Sequence, residues 1–171
     1  MLQMPQDQDA IPLPRAKGAE RRLTLRLLNY WQEVKGVRSF PASDDINPQA
    51  IADIWPNCYL LRIVKQDDEP IFDYLGEKLA KFSGVFVSNQ SFSESRHQTL
   101  LDQAIRYYRD ALETRAPVVG DDEFVRFDGT RIIYRSIILP LSNDQETITH
   151  LLGAANGKEA GKISDGDGQP I

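Results

Sequence analysis

The sequence predicts an α+β fold built on an antiparallel sheet, and three observations carry that prediction. Two strand-like runs, Cys58 to Lys65 and Ile71 to Leu75, lie close together, and three more follow after a helical middle. Asp128-Gly129 separates two further runs, Val118 to Phe127 and Arg131 to Leu139, and that dipeptide favours a tight hairpin turn between antiparallel neighbours. The stretch from Ile132 to Leu141 is β-branched and almost wholly apolar, closed by Pro140 and then by Ser142, Asn143 and Asp144. A strand covered on both faces reads this way.

The elements follow in order. Met1 to Lys17 holds three prolines and three glutamines and few large apolar residues, so residues 1–17 are expected to be a flexible tail. Leu23, Leu27, Trp31 and Val34 recur at helical spacing before Gly36, which predicts an amphipathic helix from Gly18 to Gly36. Asn47-Pro48 supplies an N-cap with proline in the first helical position, and the short helix it opens should stop before Pro56. After the strand pair, Glu77 to Phe82 can make one or two helical turns before Ser83-Gly84, and Gly84 to Ser93 is irregular. From Glu94, the set Leu100, Leu101, Ala104, Ile105, Tyr108, Ala111 and Leu112 predicts a second long amphipathic helix, halted by Pro117. The hairpin comes next, then a turn at Ser142 to Thr147 and a last strand from Ile148 to Ala155. One domain over 18–156 is expected, with a second flexible tail over 157–171, where glycine, aspartate and lysine dominate.

Length and charge narrow the function classes. A chain of 171 residues with 41% hydrophobic and 26% charged residues can bury the core of one domain. The formal net charge of −5 argues against nucleic acid as a partner, because such binding draws most of its affinity from neutralising phosphates. One cysteine, Cys58, cannot make an internal disulfide or a cysteine-clustered metal site. No run approaches the roughly 20 apolar residues needed to span a bilayer, and the start lacks the basic and apolar pattern of a secretory leader. A cytoplasmic protein is expected.

Tyr30-Trp31, Pro41, Asp44-Asp45-Ile46-Asn47-Pro48, Trp55-Pro56-Asn57, Asp73-Tyr74-Leu75-Gly76, Ser83-Gly84, Pro117 and Leu139-Pro140-Leu141-Ser142 occur in that order. Together they resemble the PAS-like family common in alphaproteobacteria, from about Leu25 to about Ala155. The resemblance implies a PAS fold, in which helices cup a five-stranded antiparallel sheet with a helical segment between strands 2 and 3. It also implies a single-domain sensory or protein-interaction module, and a first helix that contributes to a homodimer interface. Two loop details depart from the pattern: the acidic run Asp121-Asp122-Glu123 after Gly120, and Asn143-Asp144-Gln145 in place of a glycine-containing turn.

Candidate residues follow from strand alternation and chemistry. Phe72 and Tyr74 share a face of their strand and could stack on a flat ligand, or simply fill the core. Tyr134 and Arg135 point to opposite faces of theirs. If Arg135 faces the cup, its planar fork suits a carboxylate or phosphate; if not, an acid such as Asp73 should satisfy it. These four are the candidate ligand-binding residues. Tyr107 and Tyr108 carry the same ambiguity between ligand and core as the other aromatics. Leu23, Leu27 and Trp31 form a stripe that packs on the outer sheet face or, by the resemblance, contributes to a dimer interface.

Arg15, Lys17, Arg21, Arg22 and Arg26 give the first helix a basic flank. His97 and His150 are the only histidines, and neither has an identifiable second axial partner, which disfavours haem. Asn57-Cys58-Tyr59 differs from the asparagine-cysteine-arginine motif of flavin-binding light sensors and precedes the first strand, which disfavours flavin as well. No cofactor, no metal and no catalytic constellation is predicted.

The expected function is therefore a non-catalytic bacterial signalling module that binds a partner protein, and in one version a small ligand, as a homodimer. Two alternatives stay open. One is a cystatin-like α+β cone acting as an enzyme or carrier through an acid and His97 or His150. The other is a ligand-free structural adaptor.

Overall fold

The computed structural model describes residues 19–65, 67–84 and 99–162. Helix α1 (Ala19–Lys35) leads through short 3-10 turns to strands β1 (Cys58–Arg62) and β2 (Ile71–Leu75). Helices α2 (Glu77–Ser83), α3 (Leu100–Ile105) and α4 (Tyr108–Thr114) precede β3 (Val118–Val125), β4 (Thr130–Leu141) and β5 (His150–Lys162). The strands form one antiparallel sheet in the order β2-β1-β5-β4-β3. The expected α+β, PAS-like architecture is present.

The long apolar strand lies between β3 and β5, and every residue of β4 from Tyr134 to Leu141 is buried. Both of its faces need a cover. α1 packs on β4 and β5 from one side, while α3 and α4 close the other. Leu23, Leu27 and Trp31 are the buried stripe of α1, so the apolar period of that helix is spent within the monomer. Leu23, Leu27 and Trp31, expected as dimer-interface residues, are thus buried against the sheet of their own monomer.

One hydrogen bond ties that helix to the sheet. Trp31 Nε1 donates to the Pro140 carbonyl over 2.9 Å, in a buried setting. β3 runs out at Val118, opposite Ile138, so the β4 backbone beyond it has no neighbour on that side. In a strand, the N–H and C=O of one residue point the same way. Pro140 therefore sits where its missing N–H costs no ladder bond, and the indole takes the carbonyl that would otherwise be left over.

The loop between α1 and the sheet is fastened to the β4–β5 turn. Ser142 N donates to Pro41 O, Asn143 Oδ1 accepts from Ser43 N, and Gln145 both accepts from Phe40 N and donates to Phe40 O. Gln145 adopts φ 65, the backbone state in which a glycine turn residue would be unstrained. The departure Asn143-Asp144-Gln145 thus exchanges backbone ease for a side-chain clamp. Asp144 organises the turn by accepting from Ser142 Oγ, Glu146 N and Thr147 N.

Two expectations need correction. The second long helix is two short ones, α3 and α4, broken at Arg106 and Tyr107, and its expected start over 94–98 lies outside the described residues. Thr99 and Asp102 open α3 with a reciprocal capping box, and Ser83 Oγ accepts from Leu101 N. The break leaves the Ala104 carbonyl to the Tyr59 hydroxyl, which donates to it over 3.0 Å. β5 also continues to Lys162, so the boundary drawn at Gly157 falls inside a strand. The expected tail over 1–17 lies outside the described residues.

Two outcomes follow. Trp31→Phe keeps most of the apolar area but orphans a buried carbonyl, and should lower the urea-unfolding free energy by about 1–3 kcal/mol at constant m. The Asp144 carboxyl is held well below the usual carboxylate range, first by Thr147 N–H and Glu146 N–H and then by the Ser142 hydroxyl. A depressed folded value contributes stability that is complete above the unfolded pKa of about 3.9 and disappears as pH falls through the folded one. Urea midpoints should fall below pH 4 in the wild type, and Asp144→Asn should flatten that acid limb.

Candidate functional site

Strand alternation places Tyr134 and Arg135 on opposite faces, and the contacts say which. Tyr134 points to the side of α3 and α4: its hydroxyl lies 3.4 Å from Gln103 Oε1 and its ring meets Phe124 edge-on, with centroids 5.8 Å apart. Arg135 points to the α1 side, away from the cup, and is 1% exposed. It is not a ligand residue of the cup. Its Nη2 donates to Asp121 Oδ2 over 2.7 Å, and Asp121, directly opposite on β3, is 29% exposed. The acid that bonds its Nη2 is therefore Asp121 and not Asp73, which bonds Arg62 over 3.1 Å.

Phe72 and Tyr74 do not share a wall. A register irregularity opposite Leu60 and Leu61 separates their settings. Phe72 meets the Tyr59 ring edge-on, while Tyr74 stacks on Trp55 with centroids 4.2 Å apart and donates its hydroxyl to Trp55 O. The Tyr59 ring covers Gly153, where an added Cβ would fall inside the ring. Only a glycine allows that approach.

A groove of about 320 Å³ opens on the Tyr134 side of the sheet, between α4 and the β3 edge. Tyr107, Asp110, Gly120, Asp121, Asp122 and Tyr134 line it, with Val118 and Val119 at its floor. Its character is aromatic and anionic. Burial first, and the negative charge of Asp122 second, push the Tyr134 hydroxyl upward, so it stays protonated at neutral pH. Of the four candidate ligand residues only Tyr134 is here. Asp110 carried no signal in the sequence, Tyr107 was one of two ambiguous tyrosines, and Asp121-Asp122 looked like ordinary loop acids.

The acid-histidine arrangement is present in one form. His150 Nε2 lies 3.7 Å from Asp73 Oδ2, and its Nδ1 lies 3.0 Å from Thr149 Oγ1. Burial lowers the His150 pKa against the opposing pull of Asp73. Arg62 holds the same carboxylate, and the groove at β3 is lined by other residues. His97 lies outside the described residues. Cys58 is buried, and desolvation pushes its thiol up to about 12, so it is no thiolate at neutral pH. Among the described residues no group of three metal-ligating side chains occurs, and no helix is long and apolar enough to cross a membrane.

The sequence matches the family described as PAS domain over residues 20–156. No curated protein matches it. Solved structures that resemble it include the dark state of the blue-light photoreceptor Aureochrome1 LOV, at 15% identity over 68% of this chain and 82% of that one, with a TM-score of 0.47. A light-oxygen-voltage domain studied with a flavin analogue matches at 17% identity over the same shares, with a TM-score of 0.46. The LOV domain of a blue-light activated histidine kinase from Erythrobacter litoralis matches at 16% identity over 61% of this chain and 95% of that one, with a TM-score of 0.41.

These matches correct the cofactor expectation. Solved structures similar to this chain include light-oxygen-voltage domains, one of them studied with a flavin analogue, against the expectation that flavin is disfavoured. The Asn57-Cys58-Tyr59 sequence concerns cysteine photochemistry, whereas holding a flat ring system is a matter of shape and hydrogen bonding.

The Arg135–Asp121 pair is testable through its asymmetry. Asp121→Ala removes the carboxylate from a buried guanidinium and should destabilise by on the order of 3 kcal/mol, less than a fully buried pair because Asp121 keeps some solvent. Adding Arg135→Met should restore much of the loss, as read by urea unfolding.

Proposed function

The chain belongs to the PAS domain family, and from that membership we propose that it is a non-catalytic regulatory module of bacterial signalling that works by binding a partner protein. The observation that carries this reading is the groove beside β3, where Tyr107, Asp110 and Asp122 stand at an edge strand of the sheet and the buried Tyr134 backs them. A tyrosine beside the carboxylates of Asp110 and Asp122 favours recognition over chemistry: it offers contact area and charge without an aligned nucleophile and base. The working state proposed is cytoplasmic and homodimeric. Since Leu23, Leu27 and Trp31 are used inside the monomer, a dimer would form through the exposed face of α1 or another surface.

In operation, a bound partner or small ligand favours one placement of the helices over the sheet, and the opposite sheet face under α1 reports it. The connection is short, since α1 and α3 both pack on β4 and β5.

Native mass spectrometry of the full chain purified from its own host tests this. A dimer mass with a retained protein partner or small-molecule adduct is the expected result. A bare monomer at micromolar concentration, together with no host protein retained on the immobilised chain, would leave a ligand-free structural adaptor as the better account.

A further inference from the structure

The open edge of β3 has a definite chemistry. β3 pairs with β4 without a register shift from Val118 opposite Ile138 to Val125 opposite Arg131, and the hairpin closes with Arg126 N donating to Thr130 O over 2.8 Å. Hydrogen-bonded pairs alternate along such a ladder, so the backbone groups of Val119, Asp121, Glu123 and Val125 point away from β4. Among the described residues no strand lies on that side. Natural edges are blunted by charge, proline or a bulge, and β3 carries only acids, Asp121, Asp122 and Glu123, which repel another acidic strand but not a basic one. Asp122 Oδ1 closes one edge amide by accepting from Glu123 N over 2.8 Å. Val119 and Asp121 remain, beside the groove.

That groove is built for a cation. Asp110 and Asp122 line it from α4 and β3, with Tyr107 beside them and the buried Tyr134 behind. Asp121 is claimed by Arg135 on the other sheet face, and Arg106 lies 5.4 Å from the Tyr107 ring, so Asp110 and Asp122 carry the attraction. A guanidinium or ammonium held between those two carboxylates gains ion-pair and charge-assisted hydrogen-bond energy.

We propose that the β3 edge and its groove are a docking site for an extended basic segment of a partner protein. The segment's backbone adds to Val119 and Asp121, and one arginine or lysine enters between Asp110 and Asp122. The inference rests on the partner-binding reading above and names the partner's chemistry. Charge complementarity selects the occupant. A second copy of this chain would bring Asp121, Asp122 and Glu123 against the same acids across a two-fold axis, and like charges opposed on paired strands repel.

The test titrates the full chain with a capped, fluorescently labelled octapeptide alternating arginine and valine, and with its glutamate-for-arginine counterpart. The arginine peptide should bind, more weakly as salt rises, and the glutamate peptide should not. The D110N/D122N double variant keeps the acceptor for Glu123 N–H and should weaken binding tenfold or more. Val119→Pro removes an edge N–H that makes no ladder bond, and should weaken binding comparably with an unchanged melting temperature.

Binding that ignores peptide charge, or that survives both variants, would overturn the site. So would sedimentation showing a dimer that Val119→Pro dissociates, since a second copy would then own the edge. If the arginine peptide fails to bind while the immobilised full chain still retains a host protein, this site is refuted and the broader partner-binding reading stands.

Discussion

The Pro140 carbonyl is the point on which the arrangement of this domain turns. β4 is longer than its neighbour β3, and its last residues carry backbone groups with no strand beside them. A buried carbonyl without a donor costs about 1–3 kcal/mol, enough to matter against a total stability of roughly 5–15 kcal/mol. The Trp31 indole answers it from α1, and in doing so sets where that helix can lie. With Trp31 placed, Leu27 and Leu23 fall one and two turns back along the same stripe, over the sheet, and Tyr30 brings its hydroxyl to Asn47 N. The loop that follows is then short enough to be clamped by Gln145 and Asn143.

Much of this was legible in sequence, and what was not has a consistent cause. Local signals read correctly: Gly36 stops α1, the Asn47 side chain accepts from Gln49 N, and Ile71–Leu75 is a strand. Long-range contacts did not. The stripe from Leu100 to Leu112 is continuous, yet the helix breaks at Arg106 and Tyr107, where Tyr59 reaches in from β1 to bond the freed Ala104 carbonyl. No local pattern announces a donor 45 residues away.

The partner of Arg135 turned on a single residue of register. A two-residue turn at Asp128-Gly129 would set Arg135 opposite Asp122. The structure instead uses a three-residue turn, Phe127 to Gly129, closed by Arg126 and Thr130, and Arg135 faces Asp121. That step decides which of two adjacent acids is neutralised under α1 and which looks into the groove. The acidic run that departs from the family pattern is therefore divided in its roles: Asp121 pairs with a buried guanidinium, Asp122 charges the groove and closes an edge amide, and Glu123 meets Arg131 at 3.4 Å.

This division also explains how the two sheet faces are joined. Tyr134 and Arg135 are consecutive on β4, and Asp122 and Asp121 are their register partners on β3. One residue pair belongs to the groove and the next to the face under α1. A displacement of β3 that reshapes the groove must move Asp121 with it, because two successive residues of one strand cannot shift independently by more than their dihedral freedom allows. Asp121 then either carries Arg135 along or gives up its ion pair with a guanidinium that is 1% exposed, and the second course is the expensive one. The hydrogen-bonded hairpin thus makes the charge under α1 follow the position of the strand at the groove, which is the physical connection a regulatory module of this architecture requires.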